Sequence, residues 1–146
     1  MKNRVEIMHG VNFDVLERRD PEHYGGMTLI ELEVRVKHFA SELGLEASFS
    51  QTNHEGEFCE LLHRAPEMAD GLILNPGAWT HYSYAIRDAL ELTGLPAIEV
   101  HLSAIEDRED WRSHSVIRDV CVGVVSGKGP DGYRDALELL RSELGA

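Results

Sequence analysis

The chain has 146 residues, of which 42% are hydrophobic and 27% are charged, a composition typical of one globular domain. Its formal net charge of −12, from 26 acidic and 14 basic residues, argues against binding to nucleic acid or to an anionic membrane surface. Cys59 and Cys121 lie far apart in apolar runs, which predicts buried free thiols in a reducing compartment. Because the sequence shows neither a long apolar stretch nor a signal-peptide pattern, we expect a cytoplasmic protein.

Five short apolar segments alternate with amphipathic segments along the chain. The predicted strands are 5–8, 47–51, 71–74, 97–102 and 120–125. The predicted helices are 28–43, a segment that begins at Asn53, 82–92, a short helix near 106–112 and a last helix after Asp131. Apolar strands between helices indicate a parallel sheet covered on both faces. With right-handed crossovers, we expect a flavodoxin-like three-layer α/β/α fold with strand order 2-1-3-4-5, as a single domain over residues 1–146.

Capping and stop signals support several of the predicted helices. Thr28 and Glu31 have the spacing of a capping box, and the apolar residues that follow fall on one helix face. Asn53 is predicted to cap the next helix and Asp131 the last one. Gly94 predicts the end of the helix that precedes the fourth strand.

Polar side chains cluster where the predicted strands end. Those that follow the first, third and fourth strands are Asn12, Arg19, Tyr24, Asn75, His81, His101, Ser103, Arg108 and Arg112, and Glu99 lies within the fourth strand. The carboxyl ends of parallel strands meet at one edge of the sheet, which is where such sheets bind ligands. These residue types predict a pocket for a polyhydroxylated anion. The loop over residues 10–26 is long for a strand-to-helix connection, so we expect it to be a lid.

Other interpretations of the same residues stay open. Tyr24 could anchor its loop on the edge of the core, and the arginines could pair with surface glutamates. His81 and His101 could share a zinc ion, although no third ligand has the spacing of a metal site. The segment 123–129 is similar to a phosphate-binding loop, but it is one residue short and lacks the Ser or Thr that binds magnesium.

Six short motifs stand in order along the chain: HGVN at 9–12, RDPEHYG at 19–25, QTNHEG at 51–56, NPGAWTH at 75–81, RDA at 87–89 and EVHLS at 99–103. Arg108, Arg112, Ser115 and Gly132-Tyr133 complete the set. In this order the motifs resemble those of the type II 3-dehydroquinate dehydratases, over essentially the whole chain.

The resemblance implies a flavodoxin-like fold and the reversible trans-dehydration of 3-dehydroquinate to 3-dehydroshikimate through an enolate, in the shikimate pathway or in quinate catabolism. It implies that the reaction needs neither a metal nor an organic cofactor. It also implies trimers assembled into a dodecamer, with Asp88 reaching toward a neighbouring subunit's site.

The resemblance also implies roles for individual residues. Tyr24 would be the base; a free phenol ionises near pH 10, so Arg19 and Arg108 would supply the positive charge that favours tyrosinate. Asn12 would stabilise the enolate through a held water, and His101, oriented by Glu99, would protonate the leaving hydroxide. The substrate-binding residues would be Asn75, His81, Asp88, Leu102, Ser103 and Arg112.

Five residues depart from the family pattern: His9, Val11, Glu17, Ala104 and Lys128. None of them replaces a predicted catalytic residue, so they affect the expected rate and affinity more than the reaction class. Two alternatives stay open. His9, Val11 and Glu17 favour a metabolite-binding paralogue without turnover, and the chain could separately be a hydro-lyase for a related cyclic hydroxy-ketone acid.

Overall fold

The computed structural model describes residues 1–145 and contains a five-stranded parallel sheet in the order β2-β1-β3-β4-β5. Its strands are β1 (Arg4–His9), β2 (Glu46–Gln51), β3 (Gly71–Asn75), β4 (Ala97–Val100) and β5 (Gly123–Val125). Ile7 at the centre of β1 pairs with Phe49 of β2 and with Ile73 of β3. The predicted flavodoxin-like α/β fold and its strand order are therefore confirmed. The predicted domain ends at Ala146, which lies outside the described residues.

Two layers of helices cover the sheet. The helices are α1 (Pro21–Tyr24), α2 (Leu29–Glu42), α3 (Glu55–Met68), α4 (Tyr84–Thr93) and α5 (Gly132–Leu144). Alternate residues of β1 point to opposite faces, so Ile7 packs in one buried cluster with α2 and α5, and Met8 packs in another with α3 and α4. Burial of both faces explains why the central strand β3 reads as a continuous apolar run.

The helix starts confirm the predicted capping box of α2 and correct the predicted cap of α3. At α2, Thr28 accepts a hydrogen bond from the Glu31 N–H and the Glu31 carboxylate accepts one from the Thr28 N–H, as a capping box requires. The prediction that Asn53 caps α3 is wrong, because His54 is the N-cap and the Asn53 side chain contacts the first loop instead. Asp131 is the N-cap residue of α5, as predicted, although its side chain makes no capping hydrogen bond.

Several predicted boundaries also move, because short 3-10 helices occupy the ends of elements. Residues Gly77–His81 form a 3-10 helix, so α4 begins at Tyr84 after the N-cap Ser83. The predicted helix near 106–112 consists of two 3-10 turns, Ile105–Asp107 and Asp110–Arg112. The fourth strand ends at residue 100 and the fifth begins at residue 123, since a 3-10 turn occupies residues 118–120.

The loop after β1 is more ordered than the sequence predicts. It contains the 3-10 helix Phe13–Arg18, with Phe13 and Leu16 buried, followed by α1. Asn53 fixes the start of this segment, since its side chain accepts from the Asn12 N–H at 2.8 Å and donates to Asp14 at 2.9 Å. The segment is therefore anchored to the core and to the β2–α3 connection.

Two further expectations concern the cysteines and a possible membrane-spanning helix. Cys59 and Cys121 are free, but they are only partly buried, which corrects the prediction of buried thiols. Among residues 1–145, we find no helix whose length and apolar character would let it cross a membrane.

Candidate active site

A pocket opens at the carboxyl edge of the sheet, where the first, third and fourth strands end. Its lining residues are Phe13, Arg19, Tyr24, Asn75, Gly77, Ala78, His81, Leu102, Ser103, Ile105, Arg108 and Arg112. Three arginines and no carboxylate line it, although the whole chain carries a net charge of −12. The pocket is thus suited to an anion that presents several hydroxyl groups to the polar side chains around it.

Tyr24 is held between two arginines. The Arg19 guanidinium donates to the phenolic oxygen at 2.7 Å, and Arg108 donates to the same oxygen at 3.3 Å. Arg19 also lies over the Tyr24 ring, 4.1 Å from its centroid. Two permanent cations thus donate to one phenolic oxygen, and such charge-assisted hydrogen bonds are strong and well oriented. Tyr24 is therefore more than a loop anchor.

The remaining arginines are fixed by contacts at the pocket wall. Arg108 donates to the Ser103 hydroxyl at 3.1 Å, in addition to its bond to Tyr24. Arg112 lies over the Trp111 ring, 4.0 Å from its centroid, and beside the Glu109 carboxylate. The Nε atom of Arg112 lies 3.3 Å from Glu109 Oε1, so an ion pair holds this guanidinium at the pocket wall.

Two histidines lie side by side, His81 in the pocket wall and His101 behind it. The rings of His81 and His101 stack with their centroids 6.3 Å apart. His81 lies with its Nδ1 2.6 Å from the backbone carbonyl of His114, which accepts only, so Nδ1 carries the proton and Nε2 is an acceptor. Burial lowers the pKa of His81, which keeps this ring neutral at neutral pH. His81 can therefore accept a hydrogen bond from a ligand hydroxyl.

His101 is paired with a fully buried carboxylate. Its Nε2 lies 2.5 Å from Glu99 Oε2, and Ser115 donates to the other oxygen of Glu99 at 2.8 Å. Since Nε2 faces Glu99, Nδ1 is the nitrogen of His101 that remains for proton transfer. Burial by itself raises the pKa of Glu99, but the hydrogen bond and charge of His101, with Ser115 and Arg118, outweigh it and lower the pKa.

A buried network reaches Asn75 from below. Tyr133 is completely buried, and its hydroxyl lies 2.8 Å from His9 Nε2 and 3.5 Å from Asn75 Nδ2. The Asn75 amide donates to the Tyr133 hydroxyl, and a second hydrogen bond joins this hydroxyl to His9 Nε2. The Asn75 carbonyl oxygen then accepts from the Gly77 N–H at 3.4 Å. This fixes the orientation of an amide that lines the pocket.

Eight of the twelve predicted site residues thus line one pocket: Arg19, Tyr24, Asn75, His81, Leu102, Ser103, Arg108 and Arg112. His101 and Glu99 lie directly behind His81. Asn12 precedes the pocket residue Phe13 in a left-handed conformation and is itself exposed. Asp88 is exposed on α4 and is not among the lining residues.

Sequence reasoning gave no role to Arg118 or Phe13. Phe13 lines the pocket, and the Arg118 guanidinium lies 3.6 Å from Glu99. Neither could be found from the sequence, because Phe13 stands between polar residues in a loop and Arg118 lies outside the motifs.

Other features of the described residues do not compete with this pocket. Within residues 1–145, no group of three His, Cys, Asp or Glu side chains is arranged to hold a metal ion. A cleft of about 710 Å³ lies between β5 and α5, but its Lys128 is paired with Asp135. The residues predicted from the strand ends line the smaller pocket, so the chemistry points there.

Comparison with known proteins identifies the family of the chain. A family model described as "Dehydroquinase class II" matches residues 3–141. The chain belongs to the class II dehydroquinase family. The resemblance inferred from the six motifs is therefore confirmed.

Members of this family are similar to the chain over nearly its full length. A 3-dehydroquinate dehydratase of Pelotomaculum thermopropionicum is 50% identical over 134 residues, which cover 92% of this chain and 93% of that protein. Another, from Bacillus pumilus, is 44% identical over 140 residues, covering 96% of this chain and 95% of that protein. The crystal structure of a type II dehydroquinase from Butyrivibrio crossotus superposes with a TM-score of 0.92 at 35% identity, covering 96% of this chain and 98% of that one.

Proposed function

We propose that this dehydroquinase catalyses the reversible trans-dehydration of 3-dehydroquinate to 3-dehydroshikimate, a hydro-lyase reaction of the shikimate pathway or of quinate catabolism. The observation that carries the proposal is the phenolic oxygen of Tyr24, held by two arginine donors inside a cationic pocket. The family supports the same reaction, since its curated relatives are 3-dehydroquinate dehydratases.

The first step is the removal of a proton from the carbon next to the substrate ketone. Tyr24, as tyrosinate, takes this proton, and the C–H electron pair forms the enolate. Arg19 and Arg108 stabilise the phenolate before the step and the charge beside it afterwards. Asn12 is proposed to donate to the enolate oxygen through a held water, because an amide donates without changing its own charge.

The second step expels the hydroxyl group on the neighbouring carbon. The enolate electrons re-form the ketone and create the carbon–carbon double bond, while the C–O bond breaks. His101 gives the departing oxygen its proton through Nδ1, so that water leaves, and Glu99 holds the ring from the Nε2 side. His101 then regains a proton from solvent, and Tyr24 loses the one it took.

The remaining pocket residues are proposed to bind the substrate before it reacts. Asn75 and His81 are proposed to bind hydroxyl groups, since both are fixed acceptors or donors at the pocket floor. Arg112, with the backbone N–H groups of Leu102 and Ser103, is proposed to bind the substrate carboxylate. The place of Arg112 in the pocket lining, as a permanent cation, supports this assignment.

We also propose that the protein acts as trimers assembled into a dodecamer in the cytoplasm. Asp88 supports this assembly, because it is exposed on α4, outside the pocket of its own chain. A carboxylate there is free to approach the site of a neighbouring copy. Neither a metal nor an organic cofactor takes part in the proposed steps.

Turnover of 3-dehydroquinate in buffer containing a chelator tests the proposal. We expect the ultraviolet absorbance of the conjugated enone product to rise with the wild-type protein and to stay flat with Tyr24→Phe. The phenylalanine variant keeps its ring packing, so its urea unfolding midpoint should stay close to the wild-type value. Tyr82→Phe, at an exposed tyrosine, serves as the matched control and should keep full activity.

The two outcomes separate the candidate functions. A folded wild-type protein that binds 3-dehydroquinate but does not convert it would be a metabolite-binding paralogue. Faster turnover of an analogue that lacks one hydroxyl group would indicate a different cyclic hydroxy-ketone acid as substrate, since unpaired polar groups in the pocket penalise the wrong ligand.

A further inference from the structure

Glu99 is the most enclosed charged group of the site, and a third partner contacts it from outside the pocket. Its side chain has 0% exposure, and its carboxylate contacts His101 and Ser115 through hydrogen bonds. The Arg118 guanidinium lies 3.6 Å from the same Oε2 atom that faces His101. Arg118 is 44% exposed and begins the 3-10 turn Arg118–Val120, so it reaches Glu99 from the protein surface.

We propose that Arg118 is a positioning residue that keeps Glu99 ionised while His101 changes its charge during the reaction. The inference rests on the proposed function, because it concerns the step in which His101 protonates the leaving hydroxide. The inference adds a permanent cation, Arg118, to the predicted His101–Glu99 pair. Arg118 lies outside the motifs described above.

The argument follows from the charge on the buried pair. A general acid carries the proton that it transfers, so in the proposed step the His101–Glu99 pair is neutral before transfer. After transfer, the carboxylate of Glu99 would be buried without a cation, which is unfavourable. That cost would oppose release of the proton. With Arg118 in contact, Glu99 keeps a cationic partner throughout, because a guanidinium does not titrate near neutral pH.

The other groups around the pair do not supply this charge. His81 stacks on His101, but burial lowers its pKa and keeps it neutral. Burial raises the pKa of the Cys121 thiol to about 12, so it too stays neutral. The charge of Arg112 acts on His81, whose pKa it helps to lower. Asp119 is paired with Arg87 at the surface.

Within residues 1–145, Arg118 is the one arginine or lysine with a nitrogen within 4 Å of the Glu99 carboxylate. The pKa of Glu99 agrees with this arrangement. Burial alone would raise it, but the partners together lower it, and the Arg118 charge acts in the lowering direction.

Two substitutions at this position separate the charge from the size of the side chain. In the whole chain, we expect Arg118→Gln to lower kcat about 10-fold, while KM for 3-dehydroquinate stays within about two-fold. A loss of this size is part of the roughly 10²–10⁴-fold rate increase that a general acid contributes. The acidic limb of the kcat profile should move to higher pH, because Glu99 then takes up a proton more readily. Arg118→Lys restores a cation and should recover most of kcat.

Arg35→Gln is the matched control. Arg35 is similarly exposed, at 48%, and lies on α2 in the other helix layer. We expect wild-type kcat, KM and pH profile for this variant. Urea unfolding midpoints of all variants report any general loss of stability.

A second measurement tests the inference without turnover. In protein labelled with ¹³C in glutamate side chains, the Glu99 carboxyl resonance should titrate at higher pH in Arg118→Gln than in the wild type. An unchanged Glu99 titration, or an unchanged kcat profile, would overturn the inference, as would equal losses in the Gln and Lys variants. A wild-type protein that does not turn over 3-dehydroquinate would instead contradict the proposed function, and the Glu99 titration would still decide the role of Arg118.

Discussion

At the scale of single residues, His9 shows how a departure from the family pattern is accommodated. It is completely buried at the end of β1, where its ring packs 4.9 Å from Phe13 and its Nε2 bonds to the Tyr133 hydroxyl. Its Nδ1 has no hydrogen-bond partner within residues 1–145. Burial lowers the pKa of His9 to about 3, so the ring is neutral in the folded protein under ordinary conditions.

This burial predicts a dependence of stability on pH. The unfolded chain protonates His9 below about pH 6.5, while the folded protein does not. Unfolding therefore takes up a proton, and the free energy of unfolding decreases as the pH is lowered. The loss is about 1.4 kcal/mol per pH unit between pH 6.5 and pH 3. Urea unfolding at pH 7 and pH 4.5 should show a smaller fall for His9→Asn than for the wild type.

The comparison isolates His9, because the carboxylates that also titrate at low pH are the same in both proteins. His38→Asn, at a histidine side chain that is 73% exposed, should leave the pH dependence of the wild type unchanged. Equal falls in the wild type and in His9→Asn would show that His9 is not held neutral by burial.

At the scale of elements, the site depends on how closely β1 and β3 end beside each other. The Gly10 N–H donates to the Asn75 carbonyl at 2.9 Å, which extends the pairing one residue past β1. A Cβ atom on Gly10 would lie 2.1 Å from the carbonyl oxygen of Pro76, far inside any allowed contact. Only glycine therefore lets the two chain ends approach and place Asn75 in the pocket.

Gly10→Ala should displace the segment that follows Asn75. We expect its free energy of unfolding to be about 2 kcal/mol or more below that of the wild type, in the upper part of the usual range of about 0.5–3 kcal/mol for destabilising substitutions. We also expect a raised KM for 3-dehydroquinate. Gly56→Ala is the matched control, since nothing lies within 4 Å of its added Cβ in the first turn of α3. It should gain up to about 1 kcal/mol from helix propensity. Equal stability of the two variants would contradict the close approach.

At the scale of the whole molecule, charge is distributed unevenly. The chain carries a net charge of −12, while three arginines and no carboxylate line the pocket. The local cations are nearer to a bound anion than the distant acidic groups, and solvent screens the latter beyond about 10 Å. The surface charge therefore does not prevent anion binding, but it opposes association between copies of the chain.

The proposed dodecamer should consequently form more completely as salt is raised. At 500 mM NaCl, we expect sedimentation to give a mass near twelve times that of the 16.4 kDa chain. At 50 mM NaCl, we expect a larger fraction of smaller species that contain multiples of three chains. Salt weakens repulsion between like charges without weakening apolar contacts, which is the physical reason. A single-chain mass at both salt concentrations would contradict the assembly.

The fold and most of the pocket could be predicted from the sequence, because both depend on short-range patterns. Apolar runs of four to six residues between amphipathic helices leave few topologies, and Thr28 with Glu31 fixes one helix start locally. The carboxyl-edge rule then placed residues from separate strands together. Tyr24, His81 and Arg108 were found in this way although they are far apart along the chain.

Other features depended on contacts that no local pattern encodes. Asn53 has the residue type of a helix cap, but its side chain binds the loop after β1, 41 residues away from Asn12, because that loop packs against the β2–α3 connection. The contact of Arg118 with Glu99 likewise exists because the turn after Ser115 folds back over β4. The sequence by itself determined the strands, their order and the chemistry available at the sheet edge. The tertiary structure decided which of those groups touch, because burial and distance arise only when separate elements pack together.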